Sequence, residues 1–514
     1  MRVVSEAAPR SLALTRSRSS RTLPLGISVA LVIPCFWQPI VSSVDLQSHL
    51  YNAWLAELIR NGSIHGLWIG HQSTNIVVDV LLSWLLKVIG VSGAERLITS
   101  GLVLIFFWGA FRFISAVRGQ LAYWLAPWLA ILSYGFVFQL GLLNYYLSCG
   151  IVFWLFAVLW RKPFGWCLLS AVPLLVLAYA AHPLPVLWFL GIAPYCWFAQ
   201  RMPARFQVPL FLAGVVALLL VRVYFVARYL TMWMPRQLVY WTGADQALLN
   251  GWLYVPVALG LLLFTFVLLS EPENGWRAIV SAPAQAYFLT AVAIVVVPDA
   301  IRSIESAWAS YIAARLSLLS GVLLLAVLCR STHRGWYLPV GLLTAAVFFG
   351  ALYHDTRSEA RVEAEMQKMA ETLPAGARVV SYADLPNEKE ERGNLSTRER
   401  KLMHFAGRLS SILIVRLNET HLLSRACLGH CFDYMNYEAS TDQFRIHALP
   451  ENPVVLANWE DVSYMMNRRY MVTARDLPLY ALLRCGPGAG DLLMRPMARG
   501  EIGAMLACPG TFFH

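Results

Sequence analysis

The sequence predicts a polytopic, all-α membrane domain followed by a small mixed α/β domain. Hydrophobic residues make up 58% of the 514 residues, charged residues make up 14%, and the mean hydropathy is +0.55. A soluble protein of this composition would expose far too much apolar surface. Long apolar runs occupy the chain up to residue 353, whereas the density of charged residues rises sharply after it.

The apolar runs have the length expected of membrane-spanning helices, which need about 20 mostly apolar residues each. They are continuous and do not alternate with polar residues, which favours helices over barrel strands. The candidate spans are 23–41, 76–89, 97–117, 121–138, 142–160, 166–181, 186–198, 208–226, 252–270, 278–298, 314–329 and 336–353.

Basic residues predict the orientation of these spans. Segment 1–22 contains several arginines and one acidic residue, Glu6, so it is expected to remain in the cytoplasm. The later basic loops then place loop 42–75 and the tail on the extracytoplasmic side of the cell inner (plasma) membrane. Twelve crossings would leave the tail inside. We therefore expect 11 or 13, with segment 136–146 entering the membrane without crossing it.

The chain is thus predicted to have a basic N-terminus (1–22), a transmembrane domain (23–353) that includes the exported loop 42–75, and an extracytoplasmic α/β domain (354–514). The last of these begins with a charged run, 356–373, that is typical of a helix. A turn containing Pro374 and Gly376 then leads into a short predicted strand, 378–381.

The exported loop carries the pattern most typical of a site. Asp45 and His49 are four residues apart, a spacing that places two side chains on one face of a helix. Apolar residues at helical spacing predict an amphipathic helix that lies in the membrane interface and ends at Asn61 and Gly62. Asp45 is either a reactive carboxylate of this helix or its N-cap, a common role for aspartate.

Other polar residues are candidates for the lining of a cavity. Gln72 and Asn75 end the exported loop, and His182 separates two apolar runs directly before Pro183. His182 either lines the cavity or only marks the end of a helix before proline. Asp79 lies one turn into an apolar run, where a lone charge is costly, so we expect it to pair with a cation or an amide.

The cysteines divide along the same boundary as the domains. Those in the apolar runs are expected to behave as small apolar residues. The tail contains Cys427, Cys431, Cys485 and Cys508, and an even number in an extracytoplasmic domain predicts one or two disulfides. Free buried thiols are one alternative. A metal site is the other, but the spacing of Cys427 and Cys431 is not a standard zinc pattern, and we expect no metal site.

Several function classes are disfavoured. The net charge of +11 comes largely from Arg and Lys at the ends of spans, where they set topology and meet anionic lipid, so it does not indicate nucleic-acid binding. The sequence lacks a Walker-type phosphate loop, a dinucleotide fingerprint, a Gly-x-Ser-x-Gly elbow and a His-Glu-x-x-His pair. Coupling to nucleotide hydrolysis within this chain is therefore not expected.

The beginning of the chain resembles a known family. An arginine-rich start is followed by one apolar run, an exported loop that opens with Asp45, and an interfacial helix. A second run, the sequence Gly90-Val91-Ser92-Gly93-Ala94-Glu95-Arg96-Leu97 and a run ending in Arg112 and Arg118-Gly119 come next. Over about residues 20–200 the chain is similar to the GT-C glycosyltransferases, membrane enzymes that use polyprenyl-phosphate sugars. Members often carry two adjacent acidic residues at the catalytic position, whereas here Leu46 follows Asp45.

The resemblance implies a GT-C-like fold and transfer of a hexosyl or pentosyl group to a saccharide, lipid or protein acceptor on the exported face. Asp45 would be the general base for the acceptor hydroxyl, assisted by His49. The departing lipid phosphate needs cationic stabilisation. The candidates are Arg222, Arg228, Arg302 and Arg315. A divalent cation remains an open alternative as cofactor.

Two alternatives from other classes stay open. A transporter or flippase of a lipid-linked sugar or polymer would share the aromatic cavity and the arginines, but it predicts inverted repeats, which the sequence does not show. A non-catalytic membrane assembly protein, acting through its tail, would leave Asp45 dispensable.

Overall fold

The computed structural model describes residues 19–63, 67–69, 73–160, 164–248, 252–270, 281–302, 311–330, 335–381, 423, 425–433, 446–448, 479–484 and 492–496. Within them the chain is mostly helical. The α-helices are α1 Ser19–Val32, α2 Val44–Arg60, α3 Val77–Arg118, α4 Ala126–Ser133, α5 Phe136–Gln139, α6 Leu143–Leu159, α7 Phe164–Ala181, α8 Pro183–Ala199, α9 Ala204–Arg228, α10 Gln237–Tyr240, α11 Asp245–Leu248, α12 Val255–Leu269, α13 Ala282–Val296, α14 Ile312–Leu328 and α15 Tyr337–Glu371.

Among the residues that the structure describes, three helices are long and apolar enough to cross a bilayer: Val77–Arg118, Arg205–Arg228 and Tyr337–Glu371. The described residues also contain shorter apolar helices: Thr22–Cys35, Leu143–Leu159, Ala171–Ala181, Pro183–Ala199, Val255–Leu269, Ala282–Val296 and Ile312–Leu328. These elements support a helical protein associated with a membrane. The number of crossings and the orientation stay predictions.

Two predicted runs belong to one helical element. The runs 76–89 and 97–117 both lie in α3, whose helical geometry is interrupted at Gly90, with φ 69° and ψ −179°. We expected a connection over residues 90–97, and the structure instead has helix on both sides of a single glycine. Gly90 can adopt this conformation without the steric cost that a side chain would add.

The run 121–138 is broken. It contains a 3-10 turn at Tyr123–Leu125, then α4 and the four-residue helix α5, which are separated by Gly135. A tight turn around Gly141, with φ 82°, connects α5 to α6. Segment 136–146, which we expected to enter the membrane without crossing it, comprises α5, this turn and the start of α6, and its residues are almost all buried.

Close packing of α3 on α6 forms the centre of the helical domain. A Cβ at Gly109 would lie 2.5 Å from the carbonyl oxygen of Gly150, and a Cβ at Gly150 would lie 2.9 Å from the backbone nitrogen of Phe106. Small residues at a helix crossing allow the backbones to approach, which gains dispersion energy where lipid offers no hydrophobic driving force. The rings of Phe106 and Phe153 pack beside this contact, with centroids 6.1 Å apart.

Helix α2 is buried between two cores. Leu46 and Leu50 belong to the large core of the helical domain, whereas Tyr51 and Leu55 belong to a second core that is shared with the tail, including Met366. The predicted boundaries are confirmed, since α2 ends at Arg60 with Asn61 as its C-cap. Residues of the tail pack on the face of α2 that carries Tyr51 and Leu55, and the position of α2 in the membrane interface stays a prediction.

The tail contains a four-stranded mixed sheet. Its strands are β4 Arg378–Ser381, β5 Phe432–Asp433, β7 Leu479–Arg484 and β8 Leu492–Pro496, in the order β5-β4-β7-β8. β4 is parallel to β5 and to β7, and β8 is antiparallel to β7. The predicted helix and strand at the start of the tail are confirmed, although α15 runs through the expected boundary at residue 354 without a break.

Two short strand pairs connect distant segments. β1 Leu67–Ile69, in the loop after α2, pairs with β6 Ile446–Ala448 of the tail. β2 Leu230–Met232 pairs antiparallel with β3 Ala300–Arg302. The second pair brings the segment after α9 next to the segment between α13 and α14, and this contact helps to build the site.

Candidate functional site

Asp45 lies in the first turn of α2, where the structure places its backbone against the turn after α5. Its N–H donates to the carbonyl oxygen of Leu140 at 3.2 Å. A Cβ at Gly141 would lie only 2.3 Å from the Asp45 nitrogen, so this approach requires glycine. The N-cap of α2 is Ser43, whose hydroxyl donates to the carbonyl oxygen of Phe138. The N-cap alternative for Asp45 is therefore not the one adopted.

His49 is paired with Asp79. The Nδ1 atom of His49 lies 2.6 Å from Oδ1 of Asp79, and the two side chains are 8% and 0% exposed. The other oxygen of Asp79 accepts from Nδ2 of Asn144 at 3.0 Å. The expectation that Asp79 pairs with a cation or an amide is confirmed, because it has a histidine on one oxygen and an amide on the other.

A second acidic residue, Asp299, lies between β2 and α14. Its Oδ2 atom is 3.4 Å from Nη2 of Arg236, and its Oδ1 atom accepts from the backbone N–H of Ala313 at 3.1 Å. Asp299 is 2% exposed. It neutralises Arg236 and anchors the first turn of α14, which is the helix that carries Arg315.

Tyr311 precedes α14 in a left-handed conformation, with φ 58° and ψ 30°. This conformation is costly for a residue with a side chain and persists only where the surroundings enforce it. The guanidinium of Arg236 lies 6.0 Å from the centre of its ring. Burial raises the pKa of Tyr311, against the opposing effect of Arg236, and the negative charges of Asp45 and Asp299 raise it further.

Arg315 lies one turn into α14 and faces aromatic and neutral groups. Its Nη1 atom is 3.5 Å from Nε2 of His182, and its guanidinium lies 5.9 Å from the ring centre of Tyr145. Among the described residues, no carboxylate lies within ion-pair distance of it. The charges of Asp45 and Asp299 are nevertheless close enough to act on Arg315 electrostatically.

Three buried donor atoms around this site have no hydrogen-bond partner in the described part of the chain. They are Nε of Arg236, the hydroxyl of Tyr240 and Nε of Arg315. Burial raises the pKa of Tyr240, so its phenol stays neutral and can donate. Each unsatisfied buried donor costs about 1–3 kcal/mol. An acceptor oxygen bound to any of these donors would remove that cost, so they are candidates for holding an anion.

His182 marks the break between α7 and α8, as one of its two alternatives predicted, and its place in a cavity lining stays a prediction. It is the N-cap of α8, and its Nδ1 atom accepts from the backbone N–H of Leu184 at 3.2 Å. In the neutral ring, the proton then belongs to Nε2, which faces Arg315. Two donors thus point at the same space, an arrangement that an anion between them would stabilise.

The structure does not bring all the predicted arginines together. Arg222 lies on the exposed surface of α9, where its guanidinium covers the ring of Trp233 at 4.6 Å. Arg228 ends α9 and is exposed, as expected for an arginine at the interface. Arg302 lies in β3 opposite Leu230, and the structure describes only its backbone. Among the predicted phosphate ligands, Arg315 is the one whose described side chain reaches the site of Asp45.

The other predicted lining residues lie near the pair of His49 and Asp79 or outside the described residues. Asn75 has φ 60°, and its carbonyl oxygen accepts from Asn144 at 3.2 Å. Gln72 lies outside the described residues. Sequence reasoning missed Arg236, Tyr240 and Tyr311, all of which lie in connections between apolar helices. An available signal was their position in connections 227–251 and 299–313 between predicted apolar runs, the second of which also contains Asp299.

In the tail, Cys427 and Cys431 form a disulfide, and Cys485 and Cys508 lie outside the described residues. No group of three or more His, Cys, Asp or Glu side chains in the described part of the chain is arranged to hold a metal ion.

Comparisons with family models, with curated proteins and with solved structures returned no match. In the site as described, a carboxylate such as Asp45 can remove a proton, and the unsatisfied donors of Arg315 and its neighbours can hold an anion.

Proposed function

We propose that the protein is a membrane glycosyltransferase that moves a sugar from a polyprenyl-phosphate donor to an acceptor hydroxyl on the exported face. The observation that carries this proposal is the set of unsatisfied buried donors on Arg236, Tyr240 and Arg315. Arg315, one of these three residues, is also an arginine on which the charge of Asp45 acts. The predicted polytopic topology and inner-membrane location form part of the proposal.

The site suits a phosphate because every unsatisfied atom is a donor and two of the three belong to guanidinium groups. Hydrogen bonds from a charged donor to a phosphate oxygen are roughly twice as strong as neutral ones. Arg236 is partly neutralised by Asp299 at 3.4 Å, whereas Arg315 has no carboxylate at such a distance among the described residues. Arg315 is therefore the side chain with most positive charge to offer a ligand.

The proposed reaction uses the carboxylate of Asp45 and the unsatisfied donors near Arg315. Asp45 takes the proton of the acceptor hydroxyl while the acceptor oxygen forms a bond to the anomeric carbon of the sugar. The bond from that carbon to the phosphate oxygen breaks, and its electron pair leaves with the polyprenyl phosphate. Arg315, with Arg236 and Tyr240, stabilises the additional negative charge on the phosphate.

A lipid-linked donor fits the surroundings of the site. Arg315 belongs to the apolar helix α14, which packs against α13, also apolar. Three further helices of the chain are long enough to cross a bilayer. A donor anchored by an isoprenoid tail could present its phosphate from the lipid phase, and no soluble donor would need to enter.

The test is transfer of radiolabelled hexose and pentose from polyprenyl-phosphate donors by the purified full chain. Asp45→Asn removes the base and retains the size of the side chain. We expect it to lower kcat by about 10²- to 10⁴-fold, the usual contribution of general acid–base catalysis. The matched control is Asp355→Asn, since Asp355 lies on α15, where it contacts His354.

Equal transfer by Asp45→Asn and wild type would overturn the role of Asp45. Donor binding without transfer by the wild type would favour the transporter alternative. Loss of transfer on chelation, restored by a divalent cation, would add a metal ion to the mechanism.

A further inference from the structure

We propose that Asp79 is a positioning residue that holds the His49 ring with Nε2 as its acid–base nitrogen, so that His49 receives the proton collected by Asp45. This inference rests on the proposed glycosyl transfer. Its geometric basis is the contact of 2.6 Å between His49 Nδ1 and Asp79 Oδ1, which joins helices α2 and α3.

The orientation of Asn144 fixes the hydrogen-bonding role of one oxygen of Asp79. The backbone N–H of Val78 donates to Oδ1 of Asn144 at 2.9 Å, so this atom must be the amide oxygen. The amide nitrogen then donates to Oδ2 of Asp79 at 3.0 Å and to the carbonyl oxygen of Asn75 at 3.2 Å. One oxygen of Asp79 is therefore an acceptor.

Asp79 also lies in the first turn of α3, where the positive end of the helix dipole stabilises a carboxylate. An ionised Asp79 can only accept, so Nδ1 of His49 must carry the hydrogen that lies between them. In the neutral ring Nε2 is then the basic nitrogen. The same logic orients histidine in other acid–base pairs, where a buried carboxylate selects the tautomer.

Of the charged residues on α3 near α2, Asp79 contacts His49 directly. Helix α3 packs along α2 and also contributes Lys87 and Glu95, but Lys87 pairs with Glu57 at 2.8 Å and Glu95 with Arg425 at 2.9 Å. Strand β1, which also packs on α2, consists of Leu67, Trp68 and Ile69 and offers no titratable group. On α2 itself, Asp45 lies four residues before His49, on the same helical face.

The proton transfer balances without a further reactant. The acceptor hydroxyl loses its proton to the Asp45 carboxylate, and the resulting carboxylic acid passes that proton to Nε2 of His49. An unperturbed imidazole is more basic than an aspartate by about 2.6 pKa units, so this step is downhill. The imidazolium is held by ionised Asp79 until it releases the proton to water, and Asp45 is again ready as a base.

The experiment compares wild type, His49→Gln and Asp79→Asn in the transfer assay across pH. Asp79→Asn keeps the size of the side chain and removes its charge. We expect both variants to lower kcat by about 10²-fold, with KM for the donor within about twofold of wild type. The fall in kcat of the wild type at acidic pH, where His49 is already protonated, should disappear in His49→Gln.

A second measurement does not depend on activity. In protein labelled with ¹⁵N-histidine, His49 should show a protonated Nδ1 in a strong hydrogen bond, and this signal should be lost in Asp79→Asn. A protonated Nε2 with a bare Nδ1 in wild type would overturn the proposal. So would unchanged kcat and pH dependence in either variant at equal melting temperature.

The two proposals fail in distinguishable ways. If Asp45→Asn abolishes transfer and Asp79→Asn leaves it intact, the relay is wrong and the proposed function stands. If the wild type transfers no sugar although His49 shows the expected NMR signal, the proposed function is wrong. The relay is then overturned with it, and the pair of His49 and Asp79 is only a structural contact between α2 and α3.

Discussion

Two clusters of buried charge border the start of α2, and they neutralise arginine in different ways. In the tail cluster, Arg425 lies 2.9 Å from Glu95 and 4.0 Å from Glu363. In the site cluster, Arg315 lies beside His182 and Tyr145 and has no carboxylate within ion-pair distance in the described part of the chain. The first arrangement is compensated by the protein. The second has no such compensation among the described residues, and in the proposed function a phosphate supplies it.

The two clusters also differ in their contacts with the segment that leads into Asp45. Glu95, which holds Arg425, also accepts from the backbone N–H of Val41 at 2.6 Å. Ser42 donates to Glu359 of α15. The tail cluster thus fixes the chain before α2, while Arg315 of the site cluster lies within electrostatic range of Asp45. A buried charge contributes to structure where its partner is internal, and to binding where its partner is absent.

The largest expected effect is on stability, in the tail cluster. Arg425→Gln leaves Glu95 buried without its cation, and breaking such a pair costs about 3–5 kcal/mol of unfolding free energy. Denaturant unfolding of the purified protein in detergent measures it. The exposed Arg357→Gln is the control. The double variant Glu95→Gln/Arg425→Gln should recover part of the loss, and a double variant as unstable as the single one would contradict this account of the cluster.

The second effect is on activity, in the site cluster. Arg315→Gln should lower transfer by about 10²- to 10³-fold, as removal of one donor to a developing negative charge does. Its unfolding free energy should stay within about 1 kcal/mol of wild type, because no carboxylate loses a partner. Transfer and denaturant unfolding measured on one preparation check both. A large loss of stability with normal transfer would erase the difference between the clusters.

The turn that contacts Asp45 gives a smaller effect. Gly141→Ala places a Cβ 2.3 Å from the Asp45 nitrogen and adds a side chain to a residue with φ 82°. A strained backbone of this kind costs about 1–3 kcal/mol, and we expect a lower kcat because the start of α2 must shift. The matched control is Gly62→Ala, which has a similar φ but open space around its Cβ. Equal effects on kcat would mean that the contact with Asp45 is unimportant.

The smallest effect is expected at Arg222. This residue is exposed on α9 and covers Trp233, so Arg222→Gln should change transfer less than twofold and stability by no more than about 0.5 kcal/mol. The same assays as for Arg315 apply. A loss as large as that of Arg315→Gln would return Arg222 to the phosphate site predicted from the sequence.

Part of this molecule could be read from local patterns. The ends of α2 followed from its apolar spacing and from Asn61 and Gly62. The helix and strand that open the tail followed from charge, proline and glycine. Asp79 was expected to have a partner because an unpaired charge in an apolar helix is costly. Each of these inferences uses interactions within a few residues, which the order of the chain records directly.

The position of α2 between two cores could not be read in this way. Its apolar stripe showed that one face is buried but not what covers the other, and residues such as Met366 that cover it come from the tail.

What the sequence by itself determined is the helical, apolar character of the chain, the extent of several elements and the residues that need partners. Only the tertiary structure decided that His49 meets Asp79, that Glu95 meets Arg425, and that Arg236, Tyr311 and Arg315 converge near Asp45. The physical reason is the separation along the chain over which each kind of interaction acts. Helix propensity and hydrophobic periodicity act over a few residues, whereas the choice of a partner for a buried charge depends on which distant helices pack together.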